Sequence, residues 1–261
     1  MLFNIVPPRP HEDMVGYTQA HLTMMSKIKS EVEMIGIYDL VDEPGRNGKP
    51  RPFPFQPTVH VFEYAEFLSK HTDLPLMVYY VVHREDTIES IVQLFQSKGT
   101  GIKISSCVFV GVGSVPFSMK DLILRMKNNF PTIQIGSVLL PERRNEALRM
   151  KERQEEGIDF FVSQIIVSQD PIETILHDYS CVVENPVRVW LMFCPIRNKK
   201  ALELLSWLGV TTASDVTVEE HTNQCRGIIR QLKDRFSFVN IGYETLLNLR
   251  EQEMLDFMDE L

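Results

Sequence analysis

Acid–base chemistry needs carboxylates or imidazoles held in a pocket, and this sequence places few of them suggestively. Asp39 in IYDLVDEP and Glu244 in NIGYETL each follow directly on a short apolar run, and His83 follows another in YYVVHRED. A carboxyl at such a position can serve as general acid or base, so Asp39 and Glu244 are the candidate catalytic residues. Both also have plainer uses, Asp39 as a turn cap and Glu244 in the first turn of a helix, where the dipole favours it. His83 stands in a polar approach to a helix. Gln164 interrupts FFVSQIIV, and a buried amide must find partners in the fold or on a ligand. Asn4, Tyr79 and Ser137 also stand toward the ends of apolar runs and join Gln164 as candidate substrate-binding residues. Tyr38, with Gly111 and Gly113 in GVGSVPF, are the candidates for holding a cofactor, although the glycines equally suit a tight turn.

Other constellations are missing. There is no HExxH, no GxSxG, no GxxxxGK[ST] and no close His/Cys spacing, so no metal site is expected. Cys107, Cys181, Cys194 and Cys225 form no CxxC pair. Three lie in apolar company (CVFVGV, YSCVV, LMFCP), which predicts buried free thiols in a reducing compartment. With 27 Lys+Arg against 35 Asp+Glu the net charge is −8, which argues against nucleic acid or an anionic membrane as partner. No apolar run approaches the roughly 20 residues of a membrane span. The start MLFNIVPPRP does not read as a signal peptide, so a cytoplasmic protein is expected.

The elements that must position these residues are legible as alternation. Apolar, β-branched runs at 2–6, 34–40, 76–82, 105–112, 132–138, 160–167, 187–193 and 237–241 predict eight strands. Amphipathic stretches at 14–31, 58–71, 87–98, 118–128, 142–156, 171–179, 198–208 with 215–234, and 243–260 predict the helices between and after them. Ser118, Asp86-Thr87, Pro141-Glu142 and Asp170-Pro171 read as helix starts, Gly157 and Gly209 as helix ends. Eight βα units in 261 residues, with strands apolar on both faces, predict an α/β fold: a single-domain (β/α)8 TIM barrel spanning 1–261. An open nucleotide-binding sheet is the weaker alternative, because GVGSVPF lacks the third Gly of GxGxxG. Arg149, Lys151 and Arg153, interleaved with Glu146, Glu152, Glu155 and Glu156, read as a solvated helix face.

The segment 41–57, VDEPGRNGKPRPFPFQP, breaks the rhythm with five prolines in 17 residues. It follows the carboxyl end of the second strand, where barrel active sites are built. It is either a passive stiffened insertion or a lid or wall over the barrel mouth.

Three segments, in order and spacing, resemble the methylenetetrahydrofolate reductase family. FNIVPPR resembles its first strand, which carries Glu-Phe-Phe-Pro-Pro. LRMKERQEEGIDFFVSQIIV (148–167) resembles its helix-Gly-strand unit ending in a pterin-contacting Gln, here Gln164. LMFCPIRNKKALELLSWLGV (191–210) resembles its seventh strand and helix. The short chain, the proline-bearing loop and VFVGV at strand four are most similar to the flavin-free mycobacterial-type branch. The resemblance implies a folate in the mouth of a TIM barrel, NAD(P)H as hydride donor, and reduction of 5,10-methylenetetrahydrofolate to the 5-methyl form, a step of one-carbon metabolism and methionine biosynthesis.

The departures qualify it. The family's strand-one Glu, which assists protonation of the folate, corresponds to Asn4, which supplies no acidic proton. Protonation then falls to another group, with Asp39, Glu244 and water all open. Val110-Gly111-Val112 replaces the family's Arg-Gly-Asp on strand four, and the flavin-proximal His of strand three falls near Tyr79. Flavin-phosphate contacts are only partly echoed by Arg149 and Arg153, so bound FAD is not expected. The same losses leave an alternative: a folate-binding barrel without reductase chemistry, acting as a carrier or as a component of a methyl-transfer complex. The acidic, amphipathic stretch LREQEMLDFMDEL would dock on the barrel itself, on a protein partner or on a second copy.

Overall fold

The computed structural model describes residues 1–28, 32–40, 45–46, 49–52, 56–99, 101–111, 115–194, 199–210 and 218–244. Eight of its strands run parallel: β1 (Leu2–Ile5), β2 (Met34–Ile37), β5 (Leu76–Val82), β6 (Ile104–Gly111), β7 (Gln134–Leu139), β8 (Phe160–Ile165), β9 (Arg188–Phe193) and β10 (Val239–Glu244). They close into one barrel in the order β1-β10-β9-β8-β7-β6-β5-β2. Between them run α1 (Met14–Ser26), α2 (Val61–Ser69), α3 (Ile88–Gly99), α4 (Met119–Asn129), α5 (Glu146–Glu155), α6 (Gln169–Val182), and both α7 (Lys199–Leu208) and α8 (Val218–Arg235) in the last crossover. This is the single-domain (β/α)8 barrel that the alternation predicts.

The strands form because each has two apolar faces to bury. All seven residues of β5, LMVYYVV, are buried. Leu76, Val78, Tyr80 and Val82 pack outward in the helix-facing core, while Met77 and Tyr79 point into the barrel. Inside, Leu2, Val108, Phe160, Val162, Trp190 and Met192 complete a packed interior. Inward glycines make room for large neighbours. A Cβ on Gly136 would stand 2.3 Å from the Phe160 ring, and one on Gly242 would stand 2.1 Å from Met192 Sδ.

Helix ends follow local chemistry. Asp13 caps α1 by accepting the Val15 N–H. Thr87 and Ser90 exchange side-chain-to-backbone bonds at the start of α3. Gly157 and Gly209 close α5 and α7 with φ of 107° and 88°, values that glycine adopts without strain. α1 stops at Ser26, earlier than its pattern suggests, in a tightened last turn where Lys27 N–H donates to Met24 O.

Other expectations need correction. Glu244 does not open a helix: β10 runs on through Tyr243 and Glu244, and 245–260 lies outside the described residues. Cys181 is exposed, whereas Cys107, Cys194 and Cys225 are buried. The apolar neighbours of Cys181 misled because helix periodicity, and not the company kept in sequence, decides which face of α6 is covered. The basic stretch of α5 is not wholly solvated either. Lys151 pairs with Glu155 at the surface, but Arg153 turns inward onto the buried Glu146.

Within 41–57, Gly45–Arg46 (β3) and Lys49–Pro50 (β4) pair as a short antiparallel ladder. Beyond it the Arg51 guanidinium lies over the Trp207 ring, 4.9 Å from its centroid. Trp207 belongs to α7, which packs Ala201 and Leu205 against Ile165 and Cys194 at the carboxyl ends of β8 and β9. Arg51, within the segment after β2, thus touches α7, and the rest of 41–57 is described only in part.

Candidate functional site

Four strand-end side chains meet at the carboxyl end of the barrel. Asn4 on β1 lies in register with Gly36 on β2 and with Glu244 on β10. Tyr38 follows β2, and Tyr79 projects inward from β5. The Asn4 amide uses both N–H groups, donating to Tyr38 Oη at 2.7 Å and to Tyr79 Oη at 2.9 Å, with Met192 Sδ at 3.9 Å. Tyr38 in turn donates to Glu244 Oε2. The two phenol rings lie 4.4 Å apart at 30°. Asn4, Tyr79 and Glu244 are buried, and Tyr38 keeps part of its surface exposed.

Gly36 is the geometric condition for this network. A Cβ there would stand 1.9 Å from Asn4 Oδ1 and 3.0 Å from Tyr79 Cε2. The signal was available in MIGIYD, since a glycine inside an apolar strand marks a close approach, but strand-end reasoning passed over it.

The electrostatics favour protonated phenols. Burial, then the nearby Glu244 carboxylate, pushes Tyr38 well above the usual tyrosine range. Burial does the same for Tyr79, with the Asn4 hydrogen bond opposing it. Both phenols are hydrogen-bond donors at every physiological pH. The arrangement can therefore bind polar ligand atoms from below and hold or pass a proton between a carboxyl and a phenol.

The other candidates stand elsewhere. Gln164 Nε2 donates to the Leu208 carbonyl at 3.0 Å, tying α7 to the rim of β8. Beside it the β8–β9 ladder shifts register between Val162 and Ile165. Ser163 fills that break, its Oγ accepting from Met192 N–H at 2.9 Å and donating to Gln164 O at 2.6 Å. Asp39 sits at the rim, where its Oδ2 accepts the Val81 N–H at 3.1 Å. Burial raises its carboxyl above the ordinary value, against that bond and against His60 and His83. Ser137 Oγ accepts from Arg153 Nη1 at 2.9 Å, which engages it with α5 and not with the phenols. Gly111 is exposed at the end of β6, where a Cβ would press on Val115 Cγ2 at 3.1 Å. Gly113 lies outside the described residues.

Known structures reproduce the barrel. An uncharacterized protein from Clostridium thermocellum that binds two copies of 5-methyl-5,6,7,8-tetrahydrofolic acid superposes with a TM-score of 0.78 at 19% identity, over 98% of this chain and 93% of that one. A GH113 β-1,4-mannanase gives 0.63 at 12% identity, over 99% and 97%. The tryptophan synthase α-subunit of the hyperthermophile Pyrococcus furiosus gives 0.58 at 11%, over 100% and 96%. No family model and no curated protein matches the chain. At these identities the likeness establishes the fold, one that hosts unrelated chemistries. Among the described residues, no helix is long and apolar enough to cross a membrane.

Proposed function

We propose that this chain binds a reduced folate in the barrel mouth, above Asn4, Tyr38 and Tyr79, and reduces 5,10-methylenetetrahydrofolate to the 5-methyl form with NAD(P)H as second substrate. The observation that carries the reading is the polar floor: phenols and a buried carboxyl gathered around Asn4, at the level where the resembling reductases place their strand-one acid. The full-length match to a barrel that binds 5-methyltetrahydrofolate supports the ligand class. A pterin presents a flat ring edged with hydrogen-bonding atoms, which suits phenol donors beneath and a glutamine, Gln164, on the rim.

Flavin does not fit the residues present. Arg153, one of two arginines available to a flavin phosphate on α5, is committed to Ser137 Oγ, the Val138 carbonyl at 2.7 Å and Glu146 at 2.6 Å. A flavin-free reaction is accordingly the form we propose.

The second reading, a folate-binding barrel that serves as a carrier or in a methyl-transfer complex, is favoured by Asn4 itself, which cannot donate an acidic proton. One cuvette separates the two. The purified protein is scanned for flavin absorbance, then NADH or NADPH absorbance is followed after methylenetetrahydrofolate is added. Consumption that requires folate supports the reductase. Calorimetric binding of 5-methyltetrahydrofolate with neither nicotinamide consumed supports the carrier, and no folate binding refutes both.

A further inference from the structure

We infer that Tyr38 and Glu244 form the proton-delivering pair of this barrel, doing from the end of β2 and from β10 what an acid on β1 would do. The inference rests on the reductase reading above. Register is the main argument. Glu244 stands directly across the β1–β10 ladder from Asn4, and Gly36 stands directly across the β1–β2 ladder. The carboxyl therefore stands on the adjoining strand, next to the position that Asn4 leaves without an acid.

The second argument is access. Glu244 is 2% exposed and is bonded to the Tyr38 oxygen. Of the four network residues Tyr38 alone is only partly buried, the other three being buried. Asn4 donates to both phenol oxygens, so neither ring is free to turn. The same oxygen–oxygen contact serves both proton positions. With Glu244 in its acid form the carboxyl donates to Tyr38 Oη, and the phenol's own proton points to the mouth.

The step balances as follows. The methylene carbon accepts a hydride from the reduced nicotinamide, and the bond from that carbon to N10 breaks with its electron pair left on N10. N10 takes the phenolic proton of Tyr38, whose oxygen takes the carboxyl proton of Glu244. Glu244 is left as carboxylate and regains one proton from solvent per turnover. Tyr38 is thus the catalytic residue, and Glu244 positions and recharges it.

The test compares wild type, Glu244→Gln and Tyr38→Phe as full chains. The readouts are the calorimetric Kd for 5-methyltetrahydrofolate, and kcat and KM for methylenetetrahydrofolate at saturating NADH or NADPH. The expected result is a Kd and KM within threefold of wild type for Glu244→Gln and at most about tenfold weaker for Tyr38→Phe, which also loses a hydroxyl beneath the ligand, with kcat down about 100-fold or more in both, the size of a lost general acid. A kcat within threefold of wild type in either variant overturns the pair while leaving the reductase reading intact. A Kd that weakens in step with kcat also overturns it, since the residues would then only hold the ligand. Wild type that binds folate but oxidises neither nicotinamide overturns the reductase reading, and the pair with it, a failure distinguished by appearing before any substitution.

Discussion

Gly36→Ala is the smallest change that tests the geometry of the network. The added Cβ would stand 1.9 Å from Asn4 Oδ1, 2.9 Å from Asn4 Cγ and 3.0 Å from Tyr79 Cε2. Van der Waals contact needs about 3.4 Å or more, so the Asn4 amide must move by more than 1 Å inside a fully buried site. Bonds of 2.7 and 2.9 Å to two fixed phenols cannot both survive that shift. Overpacking costs about 1–3 kcal/mol, and two lost hydrogen bonds about 1 kcal/mol each. The sum, about 3–5 kcal/mol, corresponds to a fall in Tm of about 6–20 °C for a chain of this size. In an Asn4→Ala background the obstacle is gone and only the Tyr79 contact remains, so the same substitution should cost about 1 kcal/mol. Thermal or urea unfolding of the four proteins gives the coupling directly, expected to be at least about 2 kcal/mol. Costs that add to within about 0.5 kcal/mol would refute the reasoning, because independent sites add and colliding ones do not.

Four further outcomes are expected. Arg153→Met leaves the buried Glu146 with only the Leu140 N–H and the more distant Arg143, 3.7 Å away, and should cost about 1–3 kcal/mol in urea unfolding, with much of the loss recovered by adding Glu146→Gln. Asp39 has a carboxyl raised above its ordinary 3.8 by burial, so the folded state holds its proton to higher pH than the unfolded one and stability falls as pH rises through that window. Asp39→Asn, which keeps an acceptor for Val81 N–H, should flatten this part of the stability–pH curve, and an unchanged slope would count against the buried carboxyl. A thiol reagent at pH 8 should modify Cys181 alone in the native protein and all four cysteines after denaturation. Cys107 and Cys225 are both buried with thiols pushed up, Cys225 to about 12, and Cys194 is buried too. Gln164→Ala should weaken 5-methyltetrahydrofolate binding by about 1–3 kcal/mol, roughly 5- to 150-fold, and unchanged affinity would remove Gln164 from the site.

The barrel was readable because its determinants are local. Each strand is a run such as LMVYYVV that can only be satisfied with both faces covered, and each connection contains a periodic helix. Strand-end position also selected Asn4, Tyr38, Tyr79 and Glu244, since every inward residue at the carboxyl end of a barrel shares one mouth. What could not be read is which of them touch. Parity decides that, and parity needs a register: Ser137 stands one residue from the inward Val138 and is spent on Arg153 instead. Likewise Asp39 stands one residue from Tyr38 and is spent on Val81 N–H. No local pattern announces which partner a side chain will find on a strand 30 or 200 residues away.

The same reasoning bears on Asn4. Set against the reductases that the sequence resembles, Asn4 in place of a strand-one acid looks like a lost catalyst. A barrel, however, builds its mouth from several strands, so a residue's neighbours there come from adjoining strands and not from its own stretch of sequence. Asn4 and Glu244 are 240 positions apart in sequence yet directly opposed in register. An acid can therefore be absent from β1 and present beside the same place on β10, provided its neighbours there can carry the proton the remaining distance. Tyr38, bonded to Glu244 and itself only partly buried, has the position such a bridge requires. Under the reductase reading, substitution at the β1 position thus argues against acid catalysis only where the adjoining strands offer no carboxyl beside it, and β10 offers Glu244.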